Sequence, residues 1–262
     1  NWPETGDYDF NDVVIRLNSS MIVSQESTVK KLSLSGELTA MGASYNNGFA
    51  IQLEGITNED IDSDSIRFSI NGKTVNAALL EDGTENAVLK ISDDLWKHVT
   101  AGGCWFYKTE EGCTSQYEFK FSISLQFNRD VSVNSFPQAP YKPFIFATEN
   151  TPHGDAFANN PGRGLEIHLK NKSPTALANM SYFGLAEDAS DVSSSATYQT
   201  ENGLPWAIAI NASTHTNWLH PQEYVDILKA YPKFSDFVTT NGEKNQSWFT
   251  KENADSTKVY SY

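Results

Sequence analysis

The stretch Tyr117-Glu118-Phe119-Lys120-Phe121-Ser122-Ile123-Ser124-Leu125-Gln126-Phe127 alternates aromatic or aliphatic residues with polar ones over its whole length. This is the two-residue period of a strand with one buried face. Residues 29–38 repeat the pattern, with Leu32, Leu34 and Leu38 on one side, and residues 12–17, 48–53, 66–70 and 86–91 continue it at short intervals. Between two of these runs Asn71-Gly72 reads as a tight hairpin turn, whose central residues both need positive φ. Phe144-Ile145-Phe146, residues 164–169 and residues 205–210 read as further short strands, and residues 92–99 as a short helix. The expected fold class is all-β: an antiparallel, jelly-roll-like β-sandwich.

The pattern loosens beyond residue 134. Residues 134–161 are proline-rich, which suits loops and sheet edges, and residues 187–195 are acidic and serine-rich, as a mobile loop would be. Near the C-terminus the period changes to that of a helix. Pro221 stands at a first turn, Tyr224, Ile227, Leu228 and Tyr231 form an i, i+3, i+4, i+7 stripe, and Pro232 ends it. Phe234, Phe237 and Val238 line a second helix that Gly242 can cap. Residues 220–242 are thus expected as a small helical hairpin docked on a sheet, without a core of its own. The whole chain, 1–262, reads as one domain.

Of the 262 residues, 19 are Lys or Arg and 33 are Asp or Glu, a net charge of −14. That balance excludes nucleic acid as a partner, since no basic face can neutralise phosphates, and it disfavours an anionic membrane surface. No apolar run reaches membrane-spanning length, so no membrane insertion by this chain is expected. Hydrophobic residues make up 39%, with 15 Phe, 11 Tyr and 6 Trp, enough apolar mass for a packed core. Asn1-Trp2-Pro3 is neither an initiator nor a signal peptide, and the expectation is that the sequence starts inside a longer precursor.

Gly6-Asp7-Tyr8-Asp9-Phe10-Asn11-Asp12 is the sharpest local feature. Asp7, Asp9 and Asn11 alternate, with Asp12 beside them, and alternate oxygen-bearing side chains on a turn can converge on calcium, a hard cation that takes six to eight oxygens. It is not an EF-hand, because Asp12 stands where Gly is required and Asn18 where a bidentate Glu belongs. The competing reading is that Asp7 and Asp12 merely accept backbone N–H groups at the entry to a strand. Glu166 and His168, two apart on a strand, share one face and could reach a common ligand; a satisfied internal pair is the plainer reading.

The chain has only two cysteines, Cys104 and Cys113, too far apart for a zinc knuckle or a redox Cys-x-x-Cys. One local disulfide suits an exported, hairpin-like stretch, and two reduced thiols remain the alternative. Common hydrolase, metalloprotease and nucleotide-binding motifs are missing. The expectation is therefore a protein that is not an enzyme. A carbohydrate-active enzyme with paired carboxylates across a cleft is the runner-up, and a purely architectural spacer is a third reading. Trp2, Trp96, Trp105, Trp206, Trp218 and Trp248 are candidates for a sugar-stacking platform, though Trp206 and Trp248 have apolar neighbours and read as core.

Several of these stretches together resemble the LruC-type domain, found at the C-terminal end of exported proteins of Gram-negative gut bacteria. They are the opening Trp2-Pro3 with residues 6–14, Gly42-Ala43-Ser44-Tyr45-Asn46-Asn47-Gly48-Phe49, Pro140-Tyr141-Lys142-Pro143-Phe144-Ile145, residues 164–169, Leu204-Pro205-Trp206-Ala207-Ile208 and Ala230-Tyr231-Pro232. The resemblance spans nearly the whole chain in order. It implies one continuous module, export, and attachment at the outer-membrane surface as part of a lipoprotein precursor. That family usually opens with Phe-Glu-Asp ahead of the Trp-Pro, so acidic residues preceding this sequence would be further ligands. Residues 147–162 are longer than the usual link, and Cys104 and Cys113 are not a feature of the family. The resemblance carries no established activity. The reading is of a calcium-stabilised, non-catalytic surface module for adhesion, binding a glycan or a surface protein.

Overall fold

The computed structural model describes residues 2–261 apart from 114, 116, 158, 159 and 212–217. Two antiparallel sheets face each other in a sandwich-like, all-β fold. The first holds β1 (Val14–Val23), β2 (Thr28–Ala40), β4 (Ile61–Ile70), β5 (Lys73–Thr74) and β7 (Lys120–Ser132), in the order β1-β2-β7-β4-β5. The second holds β3 (Asn47–Leu53), β6 (Ala87–Ser92), β8 (Lys142–Ala147) and β9 (Glu166–His168), in the order β6-β3-β8-β9.

The alternation in β2 and β7 sets their register. Leu34 pairs with Ile123 and Leu32 with Leu125, while Ser33 pairs with Ser124 and Ser35 with Ser122. The leucines and isoleucine enter the core and the serines coat the outside. Phe49, Ile51 and Leu53 of β3, with Leu89 and Ile91 of β6, meet them from the opposite sheet. The Asn71-Gly72 turn joins β4 to β5 with φ of 49° and 75°, as its tight geometry requires. The short helix expected over residues 92–99 is a single 3-10 turn, Leu95–Lys97, started by the Asp94 side chain accepting from the Trp96 N–H.

β3 is buried along its entire length, because the second sheet is covered on both faces. Ala50, Val88, Phe144 and Phe146 form an apolar cluster on its outer side. In cross-strand register Gly48 faces Phe146, and Gly36 faces Phe121. Each phenylalanine ring lies over the glycine opposite, where any side chain would overlap it.

Residues 205–210 are not a strand. Pro205 makes only an isolated bridge to Gln199, and Tyr8 donates from its hydroxyl to the Pro205 carbonyl instead. The serine-rich stretch at 187–195 is a run of turns tied back by bridges from Asp188 to Thr200 and Asp191 to Ala196.

The largest departure from expectation lies near the C-terminus. The helix expected from Pro221 shrinks to α1 (Ile227–Ala230), while α2 (Phe234–Thr239) forms as read and Gly242, at φ 84°, donates back to the Phe237 carbonyl. Asp226 caps α1 by accepting from the Leu228 N–H, so the helix starts there. Tyr224 sits at φ 63°, which no helical residue adopts, and Pro221 bridges to Val259. The hairpin docks not on a sheet but on the N-terminal segment. Tyr8 and Phe10 pack with Ile227, Tyr231, Phe234, Trp248 and Val259 in a cluster separate from the sandwich core.

Gly48→Ala is expected to destabilise the protein by about 1–3 kcal/mol, the usual range for overpacking a filled site. The new methyl would overlap the Phe146 ring and lie 2.7 Å from the Ser92 carbonyl oxygen, which belongs to the backbone. Urea unfolding of the variant beside the parent measures this.

Candidate metal centre

Residues 2–12 reach the sandwich through an unusual backbone. Gly6, Tyr8 and Phe10 all lie at positive φ, 53°, 53° and 57°. For Tyr and Phe this left-handed region costs roughly 1–2 kcal/mol each. The segment holds this shape because its side chains and backbone are claimed on every side. Tyr8 and Phe10 enter the C-terminal cluster, and the Tyr8 carbonyl accepts from the Ile227 N–H at 3.0 Å. The Asn11 carbonyl accepts from the Gly42 N–H at 2.9 Å, and Asn11 Nδ2 donates to the Pro221 carbonyl at 3.2 Å.

The intervening residues are the acidic ones. Oxygen atoms of Asp7, Asp9 and Glu223 lie within 4.8 Å of one another. Asp9 is 1% exposed and Asn11 0%. Asp9 Oδ1 accepts from the Asn11 N–H at 3.1 Å and Oδ2 from the Tyr224 N–H at 3.2 Å. Asn11 Oδ1 and Glu223 Oε2 are both buried and receive no hydrogen bond. They converge above Gly42: a Cβ placed there would lie 2.7 Å from Glu223 Oε2 and closer still to Asn11 Oδ1. The backbone of Gly42 thus leaves the room that these two oxygens occupy.

The electrostatics are unfavourable as they stand. Burial pushes the Asp9 carboxyl up to about 8, with the charges of Asp12 and Asp7 adding to it. Burial likewise raises Glu223 to about 7, again with Asp7 and Asp12 contributing. Crowded, desolvated carboxylates next to unpaired acceptor oxygens are a configuration that a divalent cation stabilises.

Of the four residues expected to gather at this turn, Asp7 and Asp9 are in the cluster itself. Asn11 Oδ1 shares the space above Gly42 with Glu223 Oε2, and Asp12 is half-buried and close enough for its charge to act on both acids. Glu223, over two hundred residues away, was not legible as a partner. It sits in the stretch that reads as helix, and only the tertiary fold turns it toward the N-terminus.

Glu166 and His168 do share one face of β9, and they pair directly, His168 Nε2 to Glu166 Oε2 at 2.6 Å. Both side chains are fully enclosed. Arg163 bonds Glu166 and is paired with Glu81 at 2.7 Å. It also lies over the Phe144 and Phe146 rings. The Thr175 N–H donates to Glu166 at 2.8 Å, and His168 stacks on Phe144 at 4.3 Å. Cys104 and Cys113 are joined in a disulfide with a Cα–Cα separation of 6.0 Å.

Residues 27–249 match the family described as a domain of unknown function, DUF4842. The chain belongs to the DUF4842 family. The matched region includes Glu223 and both cysteines but begins after the acidic turn. No curated protein matches the sequence. Among solved structures, the crystal structure of a "Putative lipoprotein from Bacteroides ovatus" aligns with a TM-score of 0.60 at 19% identity, covering 100% of this chain and 73% of that one. At that identity the likeness is one of fold. Neither description indicates an enzyme. Among the described residues no helix is long and apolar enough to cross a membrane.

The buried histidines, His168 and His220 foremost, give this DUF4842 chain an expected acid response. Burial lowers His220 from 6.5 to about 4, and burial lowers His168 as well. Glu166 is held at about 2: burial opposes this, but the bond from His168 and the charge of Arg163 outweigh it. The unfolded chain takes up the histidine protons at higher pH than the folded one, so the histidine contribution to stability falls as pH drops below 6.5. Asp9 and Glu223, raised to about 8 and about 7, contribute with the opposite sign over the same range in the ion-free protein. For His220 the loss runs on to about pH 4 and amounts to roughly 3 kcal/mol. The contribution of Glu166 is present above 4.5 and is lost as pH falls toward 2. Urea unfolding between pH 7 and 4 should show His220→Gln gaining stability relative to the parent by roughly 3 kcal/mol as the pH falls, because the variant lacks the histidine that the unfolded chain protonates first.

Proposed function

We propose that this chain is a non-catalytic module of an exported lipoprotein, stabilised by calcium at the acidic turn and serving adhesion at the outer-membrane surface. The observation that carries the calcium reading is the convergence of the Asp7, Asp9 and Glu223 carboxylates with two buried, unbonded oxygens, Asn11 Oδ1 and Glu223 Oε2. Every donor in the set is oxygen, which suits a hard cation and not a thiophilic one. A mixture of carboxylates and an amide on an irregular turn suits the variable geometry of calcium better than the strict octahedron of magnesium.

Asp7, Asp9, Asn11 and Glu223 would hold the ion, with Asp12 adding charge at the rim. The ion would offset the repulsion among the acids and fasten the N-terminal segment to residues 221–224 and to the end of β2. Its role is structural, and no bond-making step is assigned to it. Placement at the cell surface is supported by the LruC-type likeness of the sequence and by the description of the Bacteroides ovatus structure. The disulfide suits an oxidising compartment.

A thermal melt of chelator-treated protein with and without calcium tests the site. A ligand that binds only the folded state stabilises it by about 2.7 kcal/mol at a hundredfold excess over Kd. For a chain of this size that corresponds to a rise in Tm of about 5–10 °C. Asp9→Asn and Glu223→Gln should each abolish most of the rise. An unchanged midpoint in the parent protein removes the calcium reading.

A further inference from the structure

We propose that the cleft between Trp105 and Tyr224 is a binding site for a neutral saccharide. The cleft has a volume of about 320 Å³, and its lining includes Trp105, Tyr224, Gln222 and the carboxylates of Glu110, Glu111 and Glu223. That is the low end of the range for small-molecule sites and is of the size of one or two sugar rings.

Trp105 is 84% exposed and Tyr224 72%, the two most exposed large hydrophobic side chains among the described residues. The other tryptophans described are buried or half-buried. Large aromatic faces are normally spent in cores, so two exposed ones lining one cleft point to a ligand with a flat, weakly polar face. A sugar ring has such a face, and its edge is a set of O–H donors.

The backbone carrying both aromatics is anchored. Trp105 rides on the loop closed by Cys104–Cys113, and Glu110 Oε1 accepts from the N–H groups of Trp105 and Phe106 at 2.9 and 3.1 Å. Tyr224 is kept at φ 63° by its N–H bond to Asp9. The two sides are stitched together: Glu223 N–H donates to the Thr109 carbonyl at 3.1 Å, and Gln222 Nε2 donates to Glu111 at 3.0 Å. A site ordered before binding loses less entropy when it binds.

The polar lining selects the charge of the ligand. Three carboxylates and no cationic side chain line the cleft, so it repels anions and accepts hydroxyl protons. Oε1 of Glu110 and Oε1 of Glu111 already accept bonds from the protein, so the second oxygen of each is what these two carboxylates offer to a ligand's hydroxyl groups. Glu223 lines both the cleft and the metal cluster, and in that respect the inference rests on the calcium reading: the ion would fix one wall of the cleft.

Saturation-transfer NMR on the intact chain with calcium, using free galactose, mannose, fucose, N-acetylglucosamine and N-acetylgalactosamine as probes, tests the assignment. At least one probe is expected to bind with millimolar affinity. Trp105→Ala should weaken that binding about tenfold or more, as loss of a central aromatic anchor does. Tyr224→Ala should weaken it several-fold, and Tyr117→Ala, an exposed aromatic outside the cleft lining, should leave it unchanged. Absence of binding by all five probes overturns the inference, as does binding that Trp105→Ala leaves intact, or uptake of tetramethylammonium or a lysine-rich peptide in their place. The two readings fail separately. A calcium-dependent melt with no sugar bound removes only the saccharide. Sugar bound in chelator, with no calcium-dependent melt, removes only the ion.

Discussion

The structure depends on one constraint: a turn carrying four acidic or amide side chains has to be buried where three parts of the chain meet. Asn11 reaches Gly42 at the end of β2, Asp9 reaches Tyr224, and Tyr8 reaches both Pro205 and Ile227. Without this segment the C-terminal cluster would lose Tyr8 and Phe10, the aromatics through which it packs. Burying Asp9 against Asp7 and Glu223 is electrostatically costly, and two left-handed aromatic residues add strain. A protein tolerates such a combination when something else repays it.

A second buried polar group, around Glu166, follows the opposite logic. Here every charge is answered. Arg163 lies between Glu81 and Glu166 and covers the Phe144 and Phe146 rings, and His168 donates to Glu166. The His168 Nδ1 atom is buried and receives no hydrogen bond, as suits a neutral imidazole using its other nitrogen as donor. Such a network fixes the position of β9 and seals the outer face of the second sheet. The contrast is one of electrostatics: around Glu166 the charges are paired, whereas at the acidic turn Asn11 Oδ1 and Glu223 Oε2 are buried without a hydrogen bond.

The sandwich was legible in the sequence because its signal is local. Strict alternation in residues 117–127 and 29–38 specifies both strand and buried face, and Asn71-Gly72 specifies its turn. The acidic turn was legible as a cluster for the same reason. What could not be read were the features decided by contacts between distant residues. Tyr224 completes a helical stripe in sequence, yet its N–H is claimed by Asp9, and its ring faces solvent. Residues 205–210 have strand composition, but the Pro205 carbonyl is bonded to Tyr8, and no neighbouring strand is in register. Trp105 resembled the other tryptophans until its exposure was known. In each case tertiary hydrogen bonding or packing overrides a weak local preference.

The same override links the metal cluster to the cleft. Had residues 221–231 formed the regular helix their period suggests, Tyr224 would have joined Ile227 and Leu228 in the core, and Glu223 would have turned to solvent. Capping by Asp226 and the bond from Tyr224 to Asp9 stop the helix short. One local unwinding therefore delivers Glu223 to the acidic turn and Tyr224 to the surface of the cleft that Trp105 also lines. The disulfide-closed loop completes the arrangement from the other side, since Thr109 and Glu111 bond residues 223 and 222 directly. An ion at the turn would thus act on the cleft through a single residue-to-residue connection, with no rearrangement of either sheet.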